Sequence, residues 1–330
     1  MKALRFAALG DSLTEGVGDP VGGAWRGWAA LLAEGLAPAE VPVDFRNFAV
    51  AGAQTSDVLQ RQLPRALAFT PDVASVVIGV NDTLRAAFDI RAVAAHLDAV
   101  YGAFAERGCV LLTACLPDPG TLLGLPGVLA RPLARRQRAV NSVVHALSER
   151  HGAVHLHAAD THWAADRALW SADRLHPGER GHRQFAARFH AVLAAAGEAL
   201  GPAPDVEPER PAPTRAAGLW WLATAGTGWV ARRCADLLPG LLALAADEVR
   251  HDMRGTGARL DLRASAGVAA ALASVPGLEV PLVPDLEAPV LSGLEVPMGS
   301  GLELPLRACD HVTGVAGAAP GTSQPCEVCP

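Results

Sequence analysis

Phe6-Ala7-Ala8-Leu9-Gly10-Asp11-Ser12-Leu13 is the stretch on which the reading of this chain turns. Four apolar residues followed by small and polar ones describe a strand buried on both faces that runs into a tight turn. Ser12 then stands at the carboxyl end of the strand. Open α/β sheets hold their ligands there, because loops converge on a crevice and the next helix points its amides into it. Ser12 is therefore a candidate nucleophile, with a helix-capping role as the structural alternative.

Outward from this octapeptide, strand and helix patterns alternate up to about residue 200, which is the signature of a parallel sheet covered on both faces. Apolar runs at 43–50, 73–79, 109–116 and 153–157 read as four further strands. Helical patterns at 25–36, 56–68, 90–107 and 132–150 separate them, and a last helix follows Pro177. Residues 1–200 are thus expected to form one α/β domain with a five-stranded sheet.

Composition then shifts. Five prolines with scattered acids in 201–215 read as a linker. The segment 216–254 is apolar and helical in pattern; its 218–249 core carries Trp220, Trp221 and Trp229, and Arg232-Arg233 and Pro239 interrupt it too often for a membrane span. Such a surface needs covering. Packing on the first domain is expected, with a peripheral membrane contact or a dimer contact as the alternatives. Residues 255–330 read as a low-complexity, disordered tail. An octapeptide repeat starts there at Gly277, Asp285, Gly293 and Gly301, and its prolines prevent continuous helix.

The 28 basic and 34 acidic residues balance as 19 of each up to Leu200, so the net charge of −6 arises beyond it. No basic patch points to nucleic acid. Phe6 to Leu9 is too short for the apolar region of a signal peptide, which favours a cytoplasmic chain. In that setting six cysteines do not make a disulfide framework. Cys109 and Cys115 flank an apolar run and belong to a buried strand. The spacing Cys326-Glu327-Val328-Cys329 is that of a redox or zinc pair, but it lacks a second pair.

A polar cluster, His155-x-His157-x-x-Asp160-x-His162, has two histidines at alternate strand positions and hence on one face. With no cysteine or glutamate completing the set, it reads as a strand end near the rim of the site rather than as a metal centre.

Other polar residues sit at strand ends. After the second strand come Gly52, which allows close backbone approach, and Thr55 or Ser56 as helix caps. The third ends in Gly79-Val80-Asn81-Asp82. Late in the domain stands Asp173-Arg174-Leu175-His176-Pro177, where Pro177 suits the first position of a helix and holds His176 at its mouth. Asp173 is near enough to accept from one ring nitrogen and leave the other to act as base. Gly52 as a turn glycine, Asn81 as a helix cap and Asp173 as a loop cap are the structural alternatives. Asp11 and Asp82 are assigned to loop hydrogen bonding.

Taken in order, Gly10-Asp11-Ser12-Leu13, Gly52, Gly79-x-Asn81-Asp82 and Asp173-x-x-His176 resemble the four blocks of the SGNH hydrolases, also called GDSL esterases/lipases, over about residues 4–195. The resemblance implies a three-layer, flavodoxin-like fold and hydrolysis of carboxylic esters through an acyl-enzyme, without metal or organic cofactor. It implies Ser12 as nucleophile, His176 as general base and acid, and Asp173 as its orienting partner. The oxyanion hole would comprise the amides of Ser12 and Gly52 and the side chain of Asn81. The substrate would be a small-molecule acyl ester of short to medium chain; lipase, thioesterase and carbohydrate O-deacetylase are alternatives within the family. The apolar loop 117–132 is the expected acyl-contacting wall. From other classes, an interaction protein acting through the tail remains an alternative, whereas the 10–18 loop matches neither G-x-G-x-x-G nor the P-loop of nucleotide binders.

Overall fold

The computed structural model describes residues 2–159, 161–211 and 227–278. From the N-terminus come β1 (Leu4–Gly10), the single-turn α1 (Ser12–Glu15), an antiparallel hairpin of β2 (Pro20–Val21) and β3 (Ala24–Trp25), α2 (Gly27–Gly35) and β4 (Val43–Asn47). Next, α3 (Thr55–Asp57), a π-helical turn at Val58–Gln62 and α4 (Leu63–Phe69) lead to β5 (Val73–Val77). Helices α5 (Val80–Thr83) and α6 (Ile90–Ala105) precede β6 (Val110–Cys115); α7 (Pro119–Leu123) and α8 (Gly127–Arg150) precede β7 (Val154–His157). Last come α9 (Thr161–Ala165), a 3-10 turn at Arg167–Leu169, α10 (Glu179–Ala195), α11 (Thr227–Met253) and α12 (Ala258–Ala273).

The five long strands are parallel, in the order β4-β1-β5-β6-β7. Counted along the chain this is 2-1-3-4-5, the flavodoxin-like order, and it places a topological switch point at the carboxyl end of β1. Alternation along β1 shows how the layers form. Phe6 and Ala8 join Trp28, Leu32, Phe185 and Phe189 of α2 and α10 in one apolar layer. Ala7 and Leu9 join Leu97, Val100, Val143 and Leu147 of α6 and α8 in the other. All four β1 residues are fully buried, so the apolar run Phe6 to Leu9 has no solvent face.

Several expectations are corrected. The stretch 201–215 lacks regular structure through residue 211, but it is no free linker. Arg210 pairs with Asp19 at 2.7 Å and with Glu179 at 3.0 Å, and the Glu209 N–H donates to Glu179 at 2.7 Å. The charges that made it look solvated are the ones that strap it down.

The segment assigned to a disordered tail begins with helix. Residues 258–273 form α12, whose alanine-rich run favours helix and packs closely. Ala271 and Val275 are buried in the layer built by α6 and α8. The octapeptide repeats beyond Leu278 lie outside the described residues. So do Trp220, Trp221 and the side chain of Trp229, but α11 lies on α8, where the buried Glu248 accepts from Arg131 at 2.8 Å and Arg135 at 3.1 Å. Among the described residues no helix is long and apolar enough to cross a membrane.

Candidate active site

The site is assembled at the switch point. Asp11 caps α1 by accepting the Leu13 N–H at 3.0 Å, and this turn sets Ser12 as the first helical residue at the end of β1. Separated from β1 in sequence by β2, β3 and β4, but adjacent to it in the sheet, β5 ends in the turn that starts α5 and carries Asn81.

His176 arrives from a loop that is fixed from within. The Ser171 N–H donates to the His176 carbonyl and the Gly178 N–H to the Leu169 carbonyl, both at 2.8 Å. Asp173 sits inside this hairpin. Its Oδ1 accepts from the Ser171 hydroxyl and from the amides of Leu175 and His176, at 2.8–2.9 Å. Its Oδ2 lies 2.7 Å from His176 Nδ1, and His176 Nε2 lies 2.8 Å from Ser12 Oγ. Burial resists ionisation of Asp173, yet the His176 imidazole and the loop donors outweigh it and hold the carboxyl at about 2. An ionised carboxylate can only accept, so Nδ1 carries the proton and Nε2 presents its lone pair to the serine hydroxyl.

The expected placement of Pro177 at the first position of a helix is corrected. The cap of α10 is Gly178 and the helix starts at Glu179, because residues 170 and 177 first form a β-bridge. The α1–β2 loop presses on this bridge: Gly18 has φ +107°, and a Cβ there would stand 1.9 Å from the Pro177 carbonyl oxygen.

Ser12, Asn81 and His176 line one open cavity of about 530 Å³, its mouth included. Its walls are apolar, with Val80, Leu84, Leu116, Leu122, Trp163 and Trp170 among them. The 117–132 segment contributes only Pro117 and Leu122 to this lining; it is mostly helical, in α7 and the start of α8, and Leu123 is exposed. The tryptophans are wall residues that periodicity did not reveal, since they sit in short irregular elements.

Gly52 is not among the lining residues. It occupies the third position of a β-turn closed by the Ala53 N–H to the Val50 carbonyl at 3.0 Å, with φ +82°. Asn81 stands between this turn and the cavity. Its Nδ2 donates to the Ala53 carbonyl at 3.1 Å and to Asp11 Oδ2 at 3.0 Å, so both of its N–H groups are engaged. Burial pushes the Asp11 carboxyl up to about 6, against the Leu13 amide and the nearby His176. Asp82 takes the loop role expected of it, accepting from the Thr55 amide and hydroxyl. The following helix is capped by Gln54, in a capping box with Asp57, rather than by Thr55 or Ser56.

Of the histidine cluster, His155 and His157 share one face of β7 as their spacing requires, while Asp160 and the side chain of His162 lie outside the described residues. A cysteine does complete the set, from another strand. Cys115 and His145 bring their donor atoms to within 4.8 Å of those of His155 and His157.

Among solved structures the chain is similar to an acetyl xylan esterase variant from Geobacillus stearothermophilus, at 20% identity over 60% of this chain and 97% of that one, TM-score 0.48. It is also similar to an alpha/beta hydrolase enzyme from the metagenome of Lake Arreo (20% identity, 59% and 97%, TM-score 0.47) and to the psychrotrophic esterase EstA from Pseudoalteromonas sp. (17%, 58% and 97%, TM-score 0.46). A search of the curated proteins finds no match. The model of the GDSL-like lipase/acylhydrolase family matches residues 8–184, more than half of the chain, from Ala8 within β1 to beyond His176. The chain is a member of that family, a hydrolase of the GDSL/SGNH type.

Proposed function

We propose that the protein is a serine esterase that transfers short- to medium-chain acyl groups to water through an acyl-enzyme on Ser12. The observation that carries this reading is the continuous chain from Asp173 Oδ2 through both nitrogens of His176 to Ser12 Oγ. Ser12 Oγ attacks the ester carbonyl as its proton passes to His176 Nε2, and the ionised Asp173 stabilises the resulting imidazolium. Collapse of the tetrahedral intermediate breaks the C–O bond, and His176 returns the proton to the departing alkoxide. Water, deprotonated by the same Nε2, then releases the acid.

The developing oxyanion needs donors. The Ser12 amide is the first of α1 and has no carbonyl within the helix to satisfy it. Asn81 is the side-chain donor, and engaging an oxyanion requires it to release Asp11 or the Ala53 carbonyl. The Gly52 amide, one residue before Ala53 in the turn against which Asn81 rests, is the remaining donor.

The apolar wall of Leu116, Pro117 and Leu122, with Trp163 and Trp170, takes the acyl chain. A p-nitrophenyl ester series from acetate to palmitate tests this. Activity should peak at acetate to octanoate and fall by on the order of 10⁴-fold in Ser12→Ala. A peak at palmitate, or activity kept in Ser12→Ala, would contradict it.

A further inference from the structure

Among the described residues, a group of side chains able to hold a metal ion lies where the last two strands meet α8. In the register of β6 with β7, Thr113 stands opposite His155 and Cys115 opposite His157, so all four side chains point to one face of the sheet. That face is covered by α8, which contributes His145 and, almost one turn later, Ser148. The three imidazoles stand with centroids 4.8–5.0 Å apart.

Hydrogen bonds behind this group fix the tautomer of His155. Ser148 Oγ lies 2.6 Å from the Val144 carbonyl, which can only accept, so the serine proton is committed there. The 2.7 Å contact between Thr113 and Ser148 then uses the threonine proton. The 2.8 Å contact between Thr113 Oγ1 and His155 Nδ1 must therefore carry the histidine proton. What remains on His155 is the Nε2 lone pair, and it faces Cys115 Sγ at 3.1 Å. A ring held by one nitrogen so that the other offers its lone pair is the arrangement of metal-ligating histidines.

We propose that Cys115, His145, His155 and His157 bind one borderline divalent transition-metal ion, of which Zn²⁺ is the representative, as a four-ligand structural site. A tetrahedral ion with bonds of about 2.1 Å to nitrogen and 2.3 Å to sulfur keeps its donor atoms about 3.4–3.6 Å apart. The four donors lie within 4.8 Å of one another, so closure asks for about an ångström of contraction, which torsions of the exposed His145 and His157 supply. On binding, the Cys115 thiol forms the metal–sulfur bond and its proton passes to solvent. With four protein ligands no coordination position is left for substrate, and the ester chemistry does not run through the ion.

Its effect is to pin α8 to the strand end beside the cavity. Cys115 precedes Leu116, whose backbone N–H and carbonyl both bond to the side chain of Asn141 on α8. Leu116 and Pro117 are cavity wall. The ion therefore fixes the position of that wall.

The test is titration of the full-length protein, stripped with chelator, with Co²⁺ and then Zn²⁺. One Co²⁺ per chain should give tetrahedral visible bands and a thiolate charge-transfer band in the near ultraviolet, both erased by Zn²⁺. Cys115→Ser should remove the charge-transfer band, and His155→Ala should weaken Zn²⁺ by about 100-fold or more. Thr113→Val keeps all four ligands but frees the His155 tautomer, and should weaken Zn²⁺ by about 10-fold. Zn²⁺ should raise the Tm of the wild type and of Cys326→Ser/Cys329→Ser alike. Absence of Co²⁺ binding, a charge-transfer band that survives in Cys115→Ser, or one lost in Cys326→Ser/Cys329→Ser would overturn the proposal.

Discussion

The side-chain amide of Gln62 grips both polar groups of Gly10: its Oε1 accepts the Gly10 N–H at 2.9 Å and its Nε2 donates to the Gly10 carbonyl at 2.8 Å. Register pairing of β1 with β4 ends at Ala8 and Asn47, and Gln62 reinforces the ladder at Gly10, whose carbonyl also accepts the Val50 N–H at 3.3 Å. The π-helical turn brings Gln62 there, two residues before Ser12. Gln62→Leu leaves the Gly10 N–H buried without this partner, and should cost about 1–3 kcal/mol in urea unfolding. It should also lower kcat by about 10-fold with KM little changed, because the serine is displaced rather than the cavity. Unchanged kcat would make Gln62 a residue of stability alone.

Asp173→Asn replaces an acceptor by an amide that can turn either its oxygen or its nitrogen to His176. The three donors on Oδ1 hold the amide oxygen, which turns the NH₂ toward Nδ1 and moves the ring proton to Nε2. The lone pair facing Ser12 is then lost. kcat should fall by about 10⁴-fold while circular dichroism and Tm stay near wild type. A fall of less than about 10-fold would mean that His176 keeps its tautomer without the carboxylate.

Two carboxylates make stability acid-sensitive. Asp173 is held at about 2 against an ordinary 3.8. Glu179 is held at about 2 against 4.5: burial resists, but the Glu209 amide, Arg183 and Arg210 prevail. A depressed native pKa adds stability that is complete above the ordinary value and is lost as pH falls toward the native one. Tm should therefore drop between about pH 4.5 and 2. Asp11 acts with the opposite sign: raised to about 6, it costs stability as pH climbs from 3.8 through 6. Glu179→Gln should lower Tm at pH 7 and flatten the acid limb; a curve parallel to wild type would remove Glu179 from this account.

The helix that composition did not reveal gives a truncation test. A chain ending at Arg254 lacks α12, uncovers the layer that holds Ala271 and Val275, and loses the Arg135–Asp261 pair at 2.9 Å. It should melt several degrees below the full chain. Equal Tm values would show that α12 contributes nothing to the fold.

What could be read in sequence follows from how local each signal is. The sheet was legible because β1, β5 and β6 are buried on both faces, and such strands cannot avoid continuous apolar runs. Ser12 and His176 were legible because Gly10 and Pro177 punctuate the backbone close to them, and Asp173 because it lies three residues before His176 in the same loop. The engagement of Asn81 by Asp11 and Ala53 was not, since it joins three loops that only the sheet brings together. Cys115 and His145 were missed as partners of His155 for the same reason: they lie on a neighbouring strand and a helix, with no common spacing. The 258–273 segment was misjudged because the proline repeats that follow dominated its reading, although its own alanine-rich residues favour helix.

Mapping of a covalent adduct tests the central claim most directly. Incubation with a fluorophosphonate probe, followed by peptide mass spectrometry, should place one phosphonyl group on Ser12. The label should be absent in Ser12→Ala, and its rate of formation should fall by on the order of 10³-fold in His176→Ala, since only Nε2 of that ring reaches the hydroxyl. A label on another residue, or one formed on Ser12 at an undiminished rate without His176, would contradict the account.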